Sequence, residues 1–85
     1  MNISFTEESW SDYLYWQHTD KRILQKINEL IKVIQRTPFQ GIGKPEPLRH
    51  QLKGLWSRRI DLAHRLVYEV RQSEIVVISC RYHYE

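Results

Sequence analysis

Glu46 stands between two prolines, Pro45 and Pro47. Proline fixes its own φ and has no amide N–H, so a carboxylate held between two of them has little conformational freedom left to lose. Basic residues follow it along the chain: Arg49, Arg58, Arg59, Arg65 and Arg81, with His83-Tyr84 near the end. These are the groups that RNA cleavage without a metal needs. The nucleophile in that chemistry is the ribose 2′-OH, and a carboxylate of raised pKa can remove its proton. Arginine holds the charge of the phosphorane in a fixed fork. Histidine titrates in the right range to protonate the departing 5′-oxygen. Each group also has a purely structural reading. Glu46 can cap a neighbour in a rigid turn, the arginines can line a solvated sheet face, and a histidine near the terminus can be surface decoration.

Other chemistries find less support. His18, His50, His64, His83 and Cys80 show no metal-ligand spacing, and there is no phosphate loop or GxGxxG pattern. No cofactor is expected. Cys80 alternates with Ile78 and Tyr82, which reads as a buried core thiol rather than a nucleophile. One cysteine allows no internal disulfide. The first residues, Met1 to Phe5, lack a basic stretch followed by a long apolar run, and Ile75 to Ile78 is too short to span a bilayer. A cytoplasmic protein with no membrane partner is expected.

Charge is unevenly placed. Residues 1–43 hold five Lys/Arg against five Asp/Glu, whereas residues 44–85 hold eight against five and so carry the whole net +3. Aromatic residues make up 12% of the chain and are interleaved with the arginines. A basic half of this kind suits a polyanion such as nucleic acid. It also reads as a charged face in water.

The elements that must position these groups follow from periodicity. One domain, residues 1–85, is expected. Residues 2–5 read as a short strand at a sheet edge. Thr6 is an N-cap, and a first helix runs from about Glu7 to Gln17, with Trp10, Leu14 and either Tyr13 or Gln17 on its inner face and Tyr15 and Trp16 off it. Asp20 caps a second helix over about Lys21–Arg36, where Ile23, Leu24, Ile27, Leu30, Ile31 and Ile34 recur at helical spacing. Thr37-Pro38 stops it. A loop over Pro38–Pro47 carries Glu46 and is long enough to suggest a function. Leu48–Leu52 is either a short strand or irregular. Leu55–Ile60, His64–Val70 and Ile75–Tyr84 then alternate as strands of an antiparallel meander. In the last of these, Ile75, Val77, Ser79, Arg81 and His83 share one face.

Several stretches taken together resemble the YoeB group of RelE-type mRNA interferases, the toxins of bacterial toxin–antitoxin modules. They are Glu8-Ser9-Trp10, Asp12 to Gln17, Lys44-Pro45-Glu46-Pro47-Leu48, Trp56-Ser57-Arg58-Arg59-Ile60, His64-Arg65-Leu66-Val67-Tyr68 and Cys80-Arg81-Tyr82-His83-Tyr84. The likeness runs over essentially the whole chain. It implies an α+β domain in which two N-terminal antiparallel helices pack on a small, twisted, mainly antiparallel sheet. It implies metal-free cleavage of mRNA in the ribosomal A site, a YefM-like antitoxin as partner, and compatibility with a homodimer and a heteromeric toxin–antitoxin complex. By position, Glu46 matches the family's general base and His83 its general acid. Arg65 matches the residue that stabilises the phosphate, and Tyr84 the aromatic that orients the RNA. Lys44, Arg49, Arg58, Arg59 and Arg81 fall in stretches where basic residues lie near RNA. Arg49 replaces an expected Lys, and Glu85 extends past the usual terminal Tyr.

Three functions therefore stand side by side: a nuclease, a sheet that grips RNA or ribosome without cutting, and a groove that receives an acidic partner tail. Glu46 separates the first two, because a carboxylate opposes phosphate binding unless it serves as a base.

Overall fold

A computed structural model describes residues 1–82. Its helical hairpin is set by two caps. The Thr6 hydroxyl accepts the Ser9 N–H at 3.1 Å and opens α1 (Glu7–Thr19). Asp20 then does two jobs at once. Its backbone N–H donates to the Trp16 carbonyl and closes α1, while its carboxylate accepts the N–H groups of Arg22 and Ile23 and opens α2 (Lys21–Arg36). A single residue joins the two helices, and the Tyr13 hydroxyl bonds Asn28 across them at 2.7 Å. In α2 the expected stripe is buried, with Ile27, Leu30 and Ile34 sealed in the core and Ile23, Leu24 and Ile31 packed at its edge.

The inner face of α1 differs from the expected one. Trp16 is buried and Trp10 is 48% exposed. The reason is polar. The Ser9 hydroxyl donates to the Val77 carbonyl at 2.7 Å, the Asp12 carboxylate accepts the Cys80 N–H, and the Trp16 indole N–H donates to the Cys80 carbonyl at 2.9 Å. Positions 9, 12 and 16 make one helical stripe that serves the backbone at the end of the last strand. Counting apolar residues alone misses it. Trp10 instead stacks on Tyr13 and meets Phe5 edge-on at the surface.

Five strands form one mixed sheet in the order β1-β5-β4-β3-β2. They are β1 (Asn2–Phe5), β2 (Glu46–Pro47), β3 (Leu55–Arg59), β4 (Arg65–Val70) and β5 (Glu74–Ser79). β3, β4 and β5 make the expected meander, β4 lies at the centre, and β1 is an edge strand that runs parallel to β5. Leu48–Leu52 contains a 3₁₀ turn, His50–Leu52, rather than a strand. The helices cover the face of the sheet that carries Ile60, Leu66, Tyr68, Ile75 and Val77.

The last strand also departs from expectation. It ends at Ser79, and the pairing shifts by one residue between Val67↔Ser79 and Tyr68↔Val77, leaving Ile78 as the extra residue of a bulge. The bulge inverts the alternation beyond it. Cys80 joins Ile75 and Val77 in the core, fully buried, and does not point away from them. Burial pushes its thiol up to about 12, with the nearby Asp12 carboxylate acting in the same direction.

Arg58 requires the largest correction. Expected near RNA, it is 0% exposed. Its register partner is Leu66, so it faces the helices. Nε donates to the Tyr68 hydroxyl, Nη1 to the Ile42 carbonyl, and Nη2 to the carbonyls of Thr37 and Gln40 at 2.7 and 2.8 Å. The Tyr68 hydroxyl in turn donates to the Pro38 carbonyl at 2.7 Å. Arg58 is thus a clamp between β3 and the loop after α2. Its charge is answered by backbone dipoles of the loop, beginning with the carbonyl of Thr37, the residue that caps α2.

Candidate functional site

That clamped loop delivers Glu46. Gly43 and Lys44 both take left-handed backbone angles, φ 86° and 51°. Gly43 lies so close to Leu30 and the Cβ of Arg58 that an added Cβ would sit 3.0 and 3.1 Å from them. Its carbonyl accepts the Arg59 N–H at 2.7 Å. Three residues after Gly43, Glu46 pairs with Ser57, and beyond Pro47 the Leu48 N–H bonds the Leu55 carbonyl. The carboxylate is therefore carried on a two-residue strand fixed at both ends and is exposed.

Register places its companions. Residues directly opposite in an antiparallel pair project to the same side of a sheet. Glu46 lies opposite Ser57, Ser57 opposite Val67, and Arg59 opposite Arg65. Glu46, Arg59 and Arg65 thus share the face turned away from the helices. With strands about 4.8 Å apart and about 3.3 Å of rise per residue, the Cα atoms of Glu46 and Arg65 lie on the order of 12 Å apart. Two long side chains can reach into that gap from opposite sides.

Arg65 is half-buried and aimed by the turn before it. Its Nη1 donates to the Asp61 carbonyl at 2.8 Å and the His64 carbonyl at 3.1 Å. The Asp61 carboxylate holds that turn by accepting the N–H groups of Ala63 and His64. The Arg65 backbone N–H donates to the Tyr82 carbonyl, and the Tyr82 N–H donates to the His64 ring Nδ1 at 2.7 Å. The chain leading to the expected His83 and Tyr84 is thereby tied beside Arg65. His83 and Tyr84 themselves lie outside the described residues.

The remaining basic positions divide. Lys44 and Arg49 are exposed next to Glu46. A cleft of about 540 Å³ runs along Glu46–Leu52 and includes Arg49 and His50 in its wall. Arg81 stands apart. Its guanidinium lies 3.5 Å from the centre of the Tyr15 ring on α1 and 4.6 Å from that of Tyr82, which places it on the helix side. Among the described residues no three His, Cys, Asp or Glu side chains gather as a metal site would need. No helix there is long and apolar enough to cross a membrane.

Sequence reasoning gives Arg58 the wrong role and misses the His64–Tyr82 contact. Arg58 gave a signal, since it alternates with Trp56 and Ile60 on an otherwise apolar face. The His64–Tyr82 contact gave none, because it joins residues 18 apart across a turn and a bulge.

Two helices over a five-stranded sheet, with a carboxylate and arginines on the side they leave bare, define a small α+β domain with a charged open face. A family model described as the YoeB-like toxin of bacterial type II toxin–antitoxin systems matches residues 5–84. The chain is 63% identical over 84 residues to Toxin YoeB of Escherichia coli K12, covering 99% of this chain and 100% of that one. It matches the solved YoeB/ParE toxin from Agrobacterium tumefaciens with a TM-score of 0.96 at 52% identity, over 99% of this chain and 100% of the other. A YoeB–YefM complex from Staphylococcus aureus gives 0.91 at 48%, covering 99% and 98%. The chain belongs to the YoeB family of type II toxin–antitoxin toxins.

Proposed function

We propose that the protein is an endoribonuclease that cuts mRNA in the ribosomal A site and so stops translation. The observation that carries this reading is the common face of Glu46, Arg59 and Arg65, which puts a carboxylate and two cations on the same side of the sheet. Glu46 takes the proton of the ribose 2′-OH. The 2′-oxygen attacks phosphorus, and Arg65 holds the phosphorane charge. His83 gives a proton to the leaving 5′-oxygen, and Tyr84 orients the nucleotide. The products are a 2′,3′-cyclic phosphate and a 5′-hydroxyl. Lys44, Arg49 and Arg59 draw the RNA backbone onto the face. No metal takes part, and DNA is spared for want of the 2′-OH.

A YefM-like antitoxin covers this face in the resting cell, and a homodimer is a further assembly of the chain. The S. aureus relatives solved as a YoeB–YefM complex and as a YoeB dimer support an antitoxin partner and a homodimer. The site of action is the cytoplasm, where translating ribosomes are.

The test is primer extension on an mRNA in a reconstituted translation reaction, with wild-type protein, Glu46→Gln and His83→Ala in parallel. Cuts at A-site codons are expected from the wild type and not from either variant. Blocked translation without cuts would favour a ribosome-binding inhibitor and overturn the nuclease.

A further inference from the structure

Where the backbone leaves the sheet after β5 decides where the next residues can go. Tyr82 adopts φ 65°, a left-handed conformation that a side chain with a Cβ disfavours. Two bonds hold it there. Its carbonyl accepts from the Arg65 N–H at 3.0 Å, and its N–H donates to the His64 Nδ1 at 2.7 Å. The imidazole is itself fixed. Its ring meets the buried Trp16 edge-on at 4.7 Å, its backbone N–H is taken by the Asp61 carboxylate, and Trp16 is anchored in turn on the Cys80 carbonyl. The Tyr82 ring is braced from the other side by the Arg81 guanidinium.

We propose that His64 is a positioning residue: by accepting the Tyr82 N–H it fixes the left-handed turn from which the chain runs on to His83 and Tyr84. The inference rests on the nuclease reading, in which those two residues serve at the phosphate. His64 need not touch RNA. It acts through the direction of the backbone, and the bond it makes is available only while Nδ1 carries no proton, so the ring proton sits on Nε2. A small misdirection of an acid is costly, because displacement by about 1 Å can lower a rate on the order of a hundredfold.

Two variants separate the hydrogen bond from the packing. His64→Phe keeps an aromatic ring against Trp16 and removes the acceptor. His64→Asn gives up the ring but places an amide oxygen close to the position of Nδ1. Each is read twice: by hydrogen exchange of the Tyr82 amide, and by single-turnover cleavage of ribosome-bound mRNA over a range of toxin concentrations. The expected result for Phe is a native fold by circular dichroism, an unprotected Tyr82 amide, and a maximal cleavage rate lowered by about tenfold or more. Half-saturation should stay within about twofold, and Asn should recover most of both readouts.

A Phe variant that cuts like the wild type, or that keeps its Tyr82 amide protected, overturns the proposal alone. An equal loss in Phe and Asn also overturns it, since packing would then explain the effect. A wild-type protein that cuts nothing overturns the nuclease reading, and the positioning role falls with it.

Discussion

At the scale of single residues, the two arginines side by side at 58 and 59 have opposite fates. Arg59 is exposed beside Arg65, while Arg58 is sealed and spends four N–H bonds on three loop carbonyls and a tyrosine. Lysine cannot reproduce that fork. Arg58→Lys should lower unfolding stability by about 3 kcal/mol, read from the midpoint of a urea transition, because buried carbonyls lose their donors. It should also reduce cleavage through a loosened Glu46 loop. Arg59→Ala should leave stability within about 0.5 kcal/mol and weaken ribosome-dependent cleavage. The alternation of Leu55–Ile60 already put Arg58 among apolar neighbours and Arg59 on the other face. What the sequence left unread was the partner. Backbone carbonyls leave no trace in residue types, so a buried arginine and a solvent-facing one look alike.

At the scale of elements, legibility followed the kind of contact each one makes. α2 rests on aliphatic side chains, so its period of 3.6 was plain and its ends agreed with the caps at Asp20 and Thr37. α1 touches β5 and the residue after it through a serine, an aspartate and one indole, so its inward stripe differs from the one that apolar spacing predicts. The two tryptophans test the corrected face. Trp16→Phe leaves the Cys80 carbonyl unpaired in the core and should cost about 2 kcal/mol. Trp10→Phe at the surface should cost less than about 0.5 kcal/mol, both measured by chemical denaturation. In β5 the strict alternation from Ile75 onward looked unbroken. A bulge adds a residue without changing the pattern of types, so Cys80 was placed on the wrong face.

For the whole molecule, the arrangement has two sides: a core under the helices, and an open face that carries the candidate site. The helix-side interior also sets the limit of stability at high pH. Cys80 is pushed up to about 12, and Tyr68 is raised by burial against the opposing effect of Arg58. Above about pH 9 the unfolded chain loses these protons and the folded one keeps them, so stability falls as pH rises. The thermal midpoint should decline between pH 9 and 11, and Cys80→Ala should flatten that decline. The same burial should leave Cys80 unreactive toward thiol reagents at pH 8 until the protein is unfolded.

The position of β5 between β1 and β4 has a consequence for synthesis. The first strand made has the last strand as its neighbour, and α1 is fastened to backbone groups at positions 77 and 80. A growing chain holds the start of its core unfinished until residues 74–80 have been added. The fold, and the candidate site on its open face, therefore cannot be complete while residues 74–80 are still inside the ribosome.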